Sequence, residues 1–124
     1  MLVLGANDFV DWRDAQPDNI DEKIKQVKAV GGIVGIAHPY QLGSPLCTGG
    51  RWEFNVRDWR NVDYIEVWHQ NLYSAKRENE RALELWTSLL YKGYKIAATV
   101  VARCFLSVPI PAVSCGNFIS FVKK

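Results

Sequence analysis

Imidazole is scarce in this chain, which holds two histidines, His38 and His69, among 124 residues. Any metal or acid-base site built here must therefore be sparse. Cysteine is scarce as well: Cys47, Cys104 and Cys115 are odd in number and widely spaced. No C-x-x-C pair occurs, so neither a zinc knuckle nor a redox motif is indicated, and reduced thiols in a cytoplasmic setting are the simpler reading. Charge of one sign is also lacking. Lys and Arg number 15 against 13 Asp and Glu, net +2, and only the terminal Lys123-Lys124 stands out as basic. Nucleic-acid binding has no electrostatic support. The opening Met1-Leu2-Val3-Leu4-Gly5-Ala6-Asn7-Asp8 lacks a basic n-region and a long apolar stretch, so it does not read as a signal peptide. There is no G-x-S-x-G nucleophile elbow. The glycines of Gly31-Gly32-Ile33-Val34-Gly35 lie between a helix and the following strand, the reverse of what a dinucleotide fingerprint needs.

What is present is a hydrophobic content of 48%, enough for one compact domain with a core but in a chain short for an eight-unit barrel. Residues 1 to 18 read as an irregular loop that packs Phe9 and Trp12. Asn19 with Glu22 three positions on gives a helix N-cap, and Ile20, Ile24, Val27 and Val30 follow at helical spacing. Gly31-Gly32 supplies the left-handed stop. Ile33 to Ala37 is then a strand whose apolar residues do not alternate, as expected when both faces are covered. Pro39 to Asn61 reads as a long loop with a short helical turn near Val56 to Arg60. Val62 to Trp68 is a second strand, with His69, Gln70 and Asn71 just past its end. Ser74 caps a longer helix whose stripe is Ala75, Ala82, Leu85, Trp86, Leu89 and Leu90, closed by Gly93, and Tyr94 to Val101 is a third strand. Strands alternating with helices imply parallel neighbours and an α/β fold.

The character changes after Val101. Cys104 to Val122 contains no charged residue, a length that invites comparison with a membrane span, which needs about 18 or more apolar residues. Two prolines, three serines, a glycine and an asparagine break such a helix. The expectation is a domain over residues 1–101 followed by an irregular, uncharged tail over residues 102–124, with no membrane partner.

His38 is the first residue able to point out of the far end of its strand, where loops converge and chemistry is placed in parallel α/β folds. A neutral imidazole there suits zinc, iron or manganese, and the following Pro39 restricts the backbone that projects it. A hydrogen-bonded structural histidine fits the same pattern. Glu66 and His69 occupy the comparable place on the next strand. Glu66 reads as a partner that orients an imidazole, as an interior carboxylate, or as a plain salt-bridged strand residue. Cys47, in a glycine-rich loop, has no second feature to support reactivity.

Three separated stretches agree in order and spacing: Gly31-Gly32-Ile33-Val34-Gly35-Ile36-Ala37-His38-Pro39, then Val62-Asp63-Tyr64-Ile65-Glu66-Val67-Trp68, then Asn79-Glu80-Arg81-Ala82-Leu83-Glu84-Leu85-Trp86 with Leu89-Leu90 to Gly93. Over roughly residues 1–100 this order resembles the PHP (polymerase and histidinol phosphatase) superfamily, in particular its metal-dependent hydrolases of the CehA and McbA type. The resemblance implies a partial distorted (βα)7 barrel, divalent metal ions (Zn, Mn or Fe), and hydrolysis of a small-molecule phosphate ester or another ester. It places His38 on the family's histidine metal ligand. It puts Glu66 and His69 in catalytic positions and Asn71 in a substrate-binding one, all lining the substrate side of the cavity.

The departures are equally specific. Family members carry a His-x-His strand and further Glu and His ligands ahead of the stretch matched here, and a Gly-Ser-Asp-x-His-like motif after the strand matched by Lys95 to Thr99. This chain reads Val100-Val101-Ala102-Arg103-Cys104 at that place. The expectation is a truncated gene product with a tail from a shifted reading frame and an incomplete metal cluster. The competing expectation is a catalytically inactive α/β domain that serves as an interaction module or has no function. An open half-barrel exposes sheet edges, so self-association is expected.

Overall fold

The computed structural model describes residues 1–41, 52–69 and 76–101. They form strand β1 (Leu2–Leu4), helix α1 (Ile20–Ala29), strand β2 (Ile33–Ile36), a single 3-10 turn (Trp59–Asn61), strand β3 (Tyr64–His69), helix α2 (Lys76–Tyr91) and strand β4 (Ala97–Val101). The strands make one sheet in the order β1-β2-β3-β4. The fold is α/β, as the alternation implied, but the sheet is mixed. β2, β3 and β4 run parallel, whereas β1 pairs antiparallel with β2, Leu2 opposite Gly35 and Leu4 opposite Ile33.

The strand at residues 2–4 corrects the expectation of an irregular start. Three residues are too few for a periodic signal, and it is pairing with β2 that makes them a strand. β3 begins and ends later than its sequence pattern suggested, so His69 is its last residue rather than the first beyond it. β4 begins at Ala97, three residues after Tyr94. The helical turn near Val56 to Arg60 is the 3-10 turn, capped by the Asp58 carboxylate accepting from the Arg60 amide at 3.3 Å. Ser74, Asn71, the three cysteines and the tail over residues 102–124 lie outside the described residues.

Both helices end in the same way. Gly31 (φ 79°) and Gly93 (φ 85°) take the left-handed turn that side chains resist. After α1 the Gly32 amide reaches back to the Val27 carbonyl at 2.9 Å and the Gly31 amide to Lys28 at 3.0 Å; after α2, Tyr94 reaches Leu89 at 3.1 Å and Gly93 reaches Leu90 at 2.9 Å. These paired bonds satisfy carbonyls that a helix end leaves open and turn the chain sharply into the next strand. At the start of α1, Asn19 holds the N-cap position but its side chain bonds backwards instead. Its Oδ1 accepts from the Gln16 amide and its Nδ2 donates to the Asp14 carbonyl, so the expected capping bond is not made.

Ile20, Ile24 and Val27 of α1 pack in one core with Val34 and Ile36 of β2, Ile65 and Val67 of β3, Leu89 of α2, and Ile96 and Ala98. Asp63 fastens the entrance to β3. Its carboxylate accepts from Lys28 at 2.8 and 2.9 Å and from the Val34 amide at 2.7 Å, while its backbone bonds Val34 and Ala97. Helix α1 and strands β2, β3 and β4 are thus tied at one end of the sheet, and the opposite ends of β2 and β3 bring His38 and His69 together. Among the described residues no helix is long and apolar enough to cross a membrane.

Candidate metal centre

His38 lies just past β2, and Glu66 and His69 lie on β3. Nδ1 of His38 is 2.9 Å from Oε2 of Glu66. The two imidazoles meet with ring centroids 4.2 Å apart and planes tilted by 32°. One ligand atom from each of the three residues falls within 4.8 Å of the others. Glu66 and His69 are buried and His38 is half-buried. Asn71 lies outside the described residues, so of the four residues singled out in the sequence, three converge.

Glu66 and His69 converge because β3 is irregular. In a regular strand, residues an odd number apart face opposite sides of the sheet. Opposite β4, Glu66 pairs with Thr99 but Trp68 with Val100, so β3 carries one extra residue between them. Such a bulge shifts the alternation by one, and bulges of this kind re-aim side chains beside sites.

His38 is the one non-glycine residue with positive φ among the described residues, at 25°. That value lies at the margin of the left-handed region, in front of a proline that already disfavours helical backbone. The Gln41 amide bonds back to the His38 carbonyl at 3.0 Å, closing a tight turn around it. His69 is fixed differently. Asn79, buried on α2, accepts from the His69 amide at 3.1 Å and donates to the His69 carbonyl at 3.2 Å. The helix after β3 thereby sets the strand end that carries the imidazole.

The charge at the site is felt around it. Burial raises the Tyr64 phenol above its ordinary value, and the negative charges of Glu66 and Asp63 push the same way. Burial lowers the α-amino group of Met1, an effect that Glu66 opposes. Tyr64 lies across Gly35 on the neighbouring strand, so close that a Cβ at position 35 would fall 2.0 Å from its ring.

Two imidazoles and a carboxylate are the donor set that zinc, manganese or iron takes. With Glu66 as a carboxylate, which only accepts, Nδ1 of His38 carries the proton and Nε2 keeps its lone pair. Two ligands about 2.1 Å from one ion stand about 3.4 Å apart in a tetrahedral site, so ligand atoms separated by up to 4.8 Å must draw together to share one ion. Asn79, Tyr40 and Arg81 also belong to the site's surroundings. Sequence reading gave none of them a role; Asn79 and Arg81 stood in a motif by resemblance alone, with no pattern of their own to mark them.

No family model, curated protein or solved structure matches this chain.

Proposed function

We propose that residues 1–101 are part of a PHP-type metal-dependent hydrolase, a partial distorted (βα)7 barrel acting on phosphate esters in preference to other esters. The observation that supports it is the convergence of His38, Glu66 and His69 at neighbouring strand ends, with ligand atoms within 4.8 Å. Three positions picked out by resemblance share one small volume, and a purely structural histidine at position 38 does not require the other two. Four strands, one of them antiparallel, are fewer than such a barrel holds, so the described residues account for a part of it.

In this reading His38 is a metal ligand through Nε2. Glu66 fixes the His38 tautomer by accepting the Nδ1 proton, and His69, whose backbone Asn79 holds, supplies the second imidazole. A divalent ion held there would supply polarisation of the phosphoryl or carbonyl oxygen and a lowered pKa for the attacking water. Asn71, given a substrate-binding role by the resemblance, lies outside the described residues.

Calorimetric titration of the purified chain with manganese or zinc tests this reading. Binding of one ion per chain is expected, lost in His38→Ala and in His69→Ala. Stoichiometric binding untouched by either change would overturn the assignment.

A further inference from the structure

The segment leaving β2 and the helix following β3 meet a second time, at the rim of the histidine pair. Tyr40 stands two residues beyond His38, and the Arg81 guanidinium lies over its ring, 4.3 Å from the centroid. Arg81 in turn stands two residues beyond Asn79, which is bonded to both backbone groups of His69. With the two imidazoles in contact at 4.2 Å, these contacts close a circuit through His38, Tyr40, Arg81, Asn79 and His69. Two residues of chain reach at most about 7 Å, so the backbone of the circuit is small, and Tyr40 and Arg81 neighbour in the chain the residues that build the cluster.

Arg81 is exposed, and among the described residues no ion pair includes it, although Glu78 and Glu84 lie three residues to either side on α2. Stacking on Tyr40 holds the planar fork in one place without occupying its donors, which lowers the entropy lost when it grips an anion. The charge balance points the same way. Two neutral imidazoles and one carboxylate leave a divalent ion with one positive charge over. Arg81 adds a second, matching the two negative charges of a phosphate monoester.

We propose that Arg81, positioned by Tyr40, is the anion-binding residue of this site and that it takes the phosphate group of a phosphate monoester through a bidentate contact. The anion contact depends on Arg81 and Tyr40 alone. Its link to hydrolysis rests on the metal-site reading above.

The test is titration of the full chain with methyl phosphate at low salt, followed by calorimetry, once metal-free and once with manganese. Arg81→Ala is expected to weaken binding about tenfold or more in both, as loss of a charged bidentate contact does. Arg81→Lys restores only part of it, because a lysine lacks the fork. Tyr40→Phe keeps the ring face and the affinity, whereas Tyr40→Ala weakens binding severalfold. Lys92→Ala removes the same charge about 16 Å farther along the helix direction and leaves binding unchanged. Equal affinity in Arg81→Ala and the unaltered chain, an equal loss in Lys92→Ala, or no methyl phosphate binding at all would overturn the proposal. Acetate binding as tight as methyl phosphate would overturn the choice of phosphate. Failure of manganese to bind, with the Arg81 effect intact in the metal-free chain, would sink the metal-site reading and leave the anion site standing.

Discussion

Nδ1 of His38 stands 2.9 Å from Oε2 of Glu66, and the backbone that delivers it there has φ 25° in front of a proline. A backbone held in a sparsely populated conformation costs about 1–3 kcal/mol, which the surrounding structure must offset. Here the turn closed by Gln41 and the bond to Glu66 hold the residue in place.

That strain can be measured once the carboxylate is no longer at risk of being stranded. Glu66→Gln keeps the shape of the side chain and is expected to lower manganese affinity about 10–100-fold, as loss of an orienting partner does. In the Glu66→Gln background, His38→Gly releases the backbone and is expected to raise stability by roughly 1 kcal/mol, the ring contact with His69 offsetting part of the gain. Urea midpoints of the single and double variants give the answer. A double variant less stable than Glu66→Gln would show that position 38 stores no strain.

Gly35 and Tyr64 are partners across β2 and β3, and the phenol ring occupies the space a side chain at position 35 would need. Gly35→Ala is expected to destabilise the domain by about 1–3 kcal/mol, because the ring must leave its place between the strands. Tyr64→Ala removes the obstacle at its own cost. The double variant should lose less than the two single losses added, with a coupling of at least about 1 kcal/mol by denaturant unfolding. Strict additivity would place the cost of Gly35→Ala elsewhere.

Where local chemistry governs, the sequence was a good guide: Gly31 and Gly93 end their helices as read, and the apolar runs of β2 and β3 are central strands. Where a contact between distant segments governs, it was not. β1 is a strand only because β2 is beside it. The meeting of Glu66 with His69 depends on an extra residue in β3 that is visible only against β4. Read as a regular strand, residues 66 and 69 face apart, so their common site could be reached by resemblance but not by periodicity. Asn79 was invisible for a related reason, since its partners are backbone atoms and carry no residue signature.

Asn79→Ala removes the two bonds that fix His69 and leaves a buried amide and carbonyl without their partner. The expected loss is about 2–4 kcal/mol, taking one to two for each group. Amide exchange at His69 separates this from a general loosening. It should accelerate far more than exchange at Ile65, which stays in the sheet. Equal acceleration at both positions would mean that Asn79 supports the sheet as a whole rather than the strand end that carries the imidazole.

The Tyr64 phenol, raised by burial and by the charges of Glu66 and Asp63, gives the domain a signature at alkaline pH. In the unfolded chain it loses its proton near the ordinary tyrosine value of about 10, whereas the folded chain holds on to it to higher pH. Between those two points the folded state binds more protons, so stability falls as pH rises. Below that window the full contribution is present. The decline in urea midpoint between about pH 9 and 11, roughly one unit either side of the free phenol, should be shallower in Tyr64→Phe, which has no proton to lose. In a spectrophotometric titration Tyr64 should ionise late, and the late step should vanish in the same variant. If the late step persists in Tyr64→Phe, another phenol carries it, and burial does not hold the Tyr64 proton on.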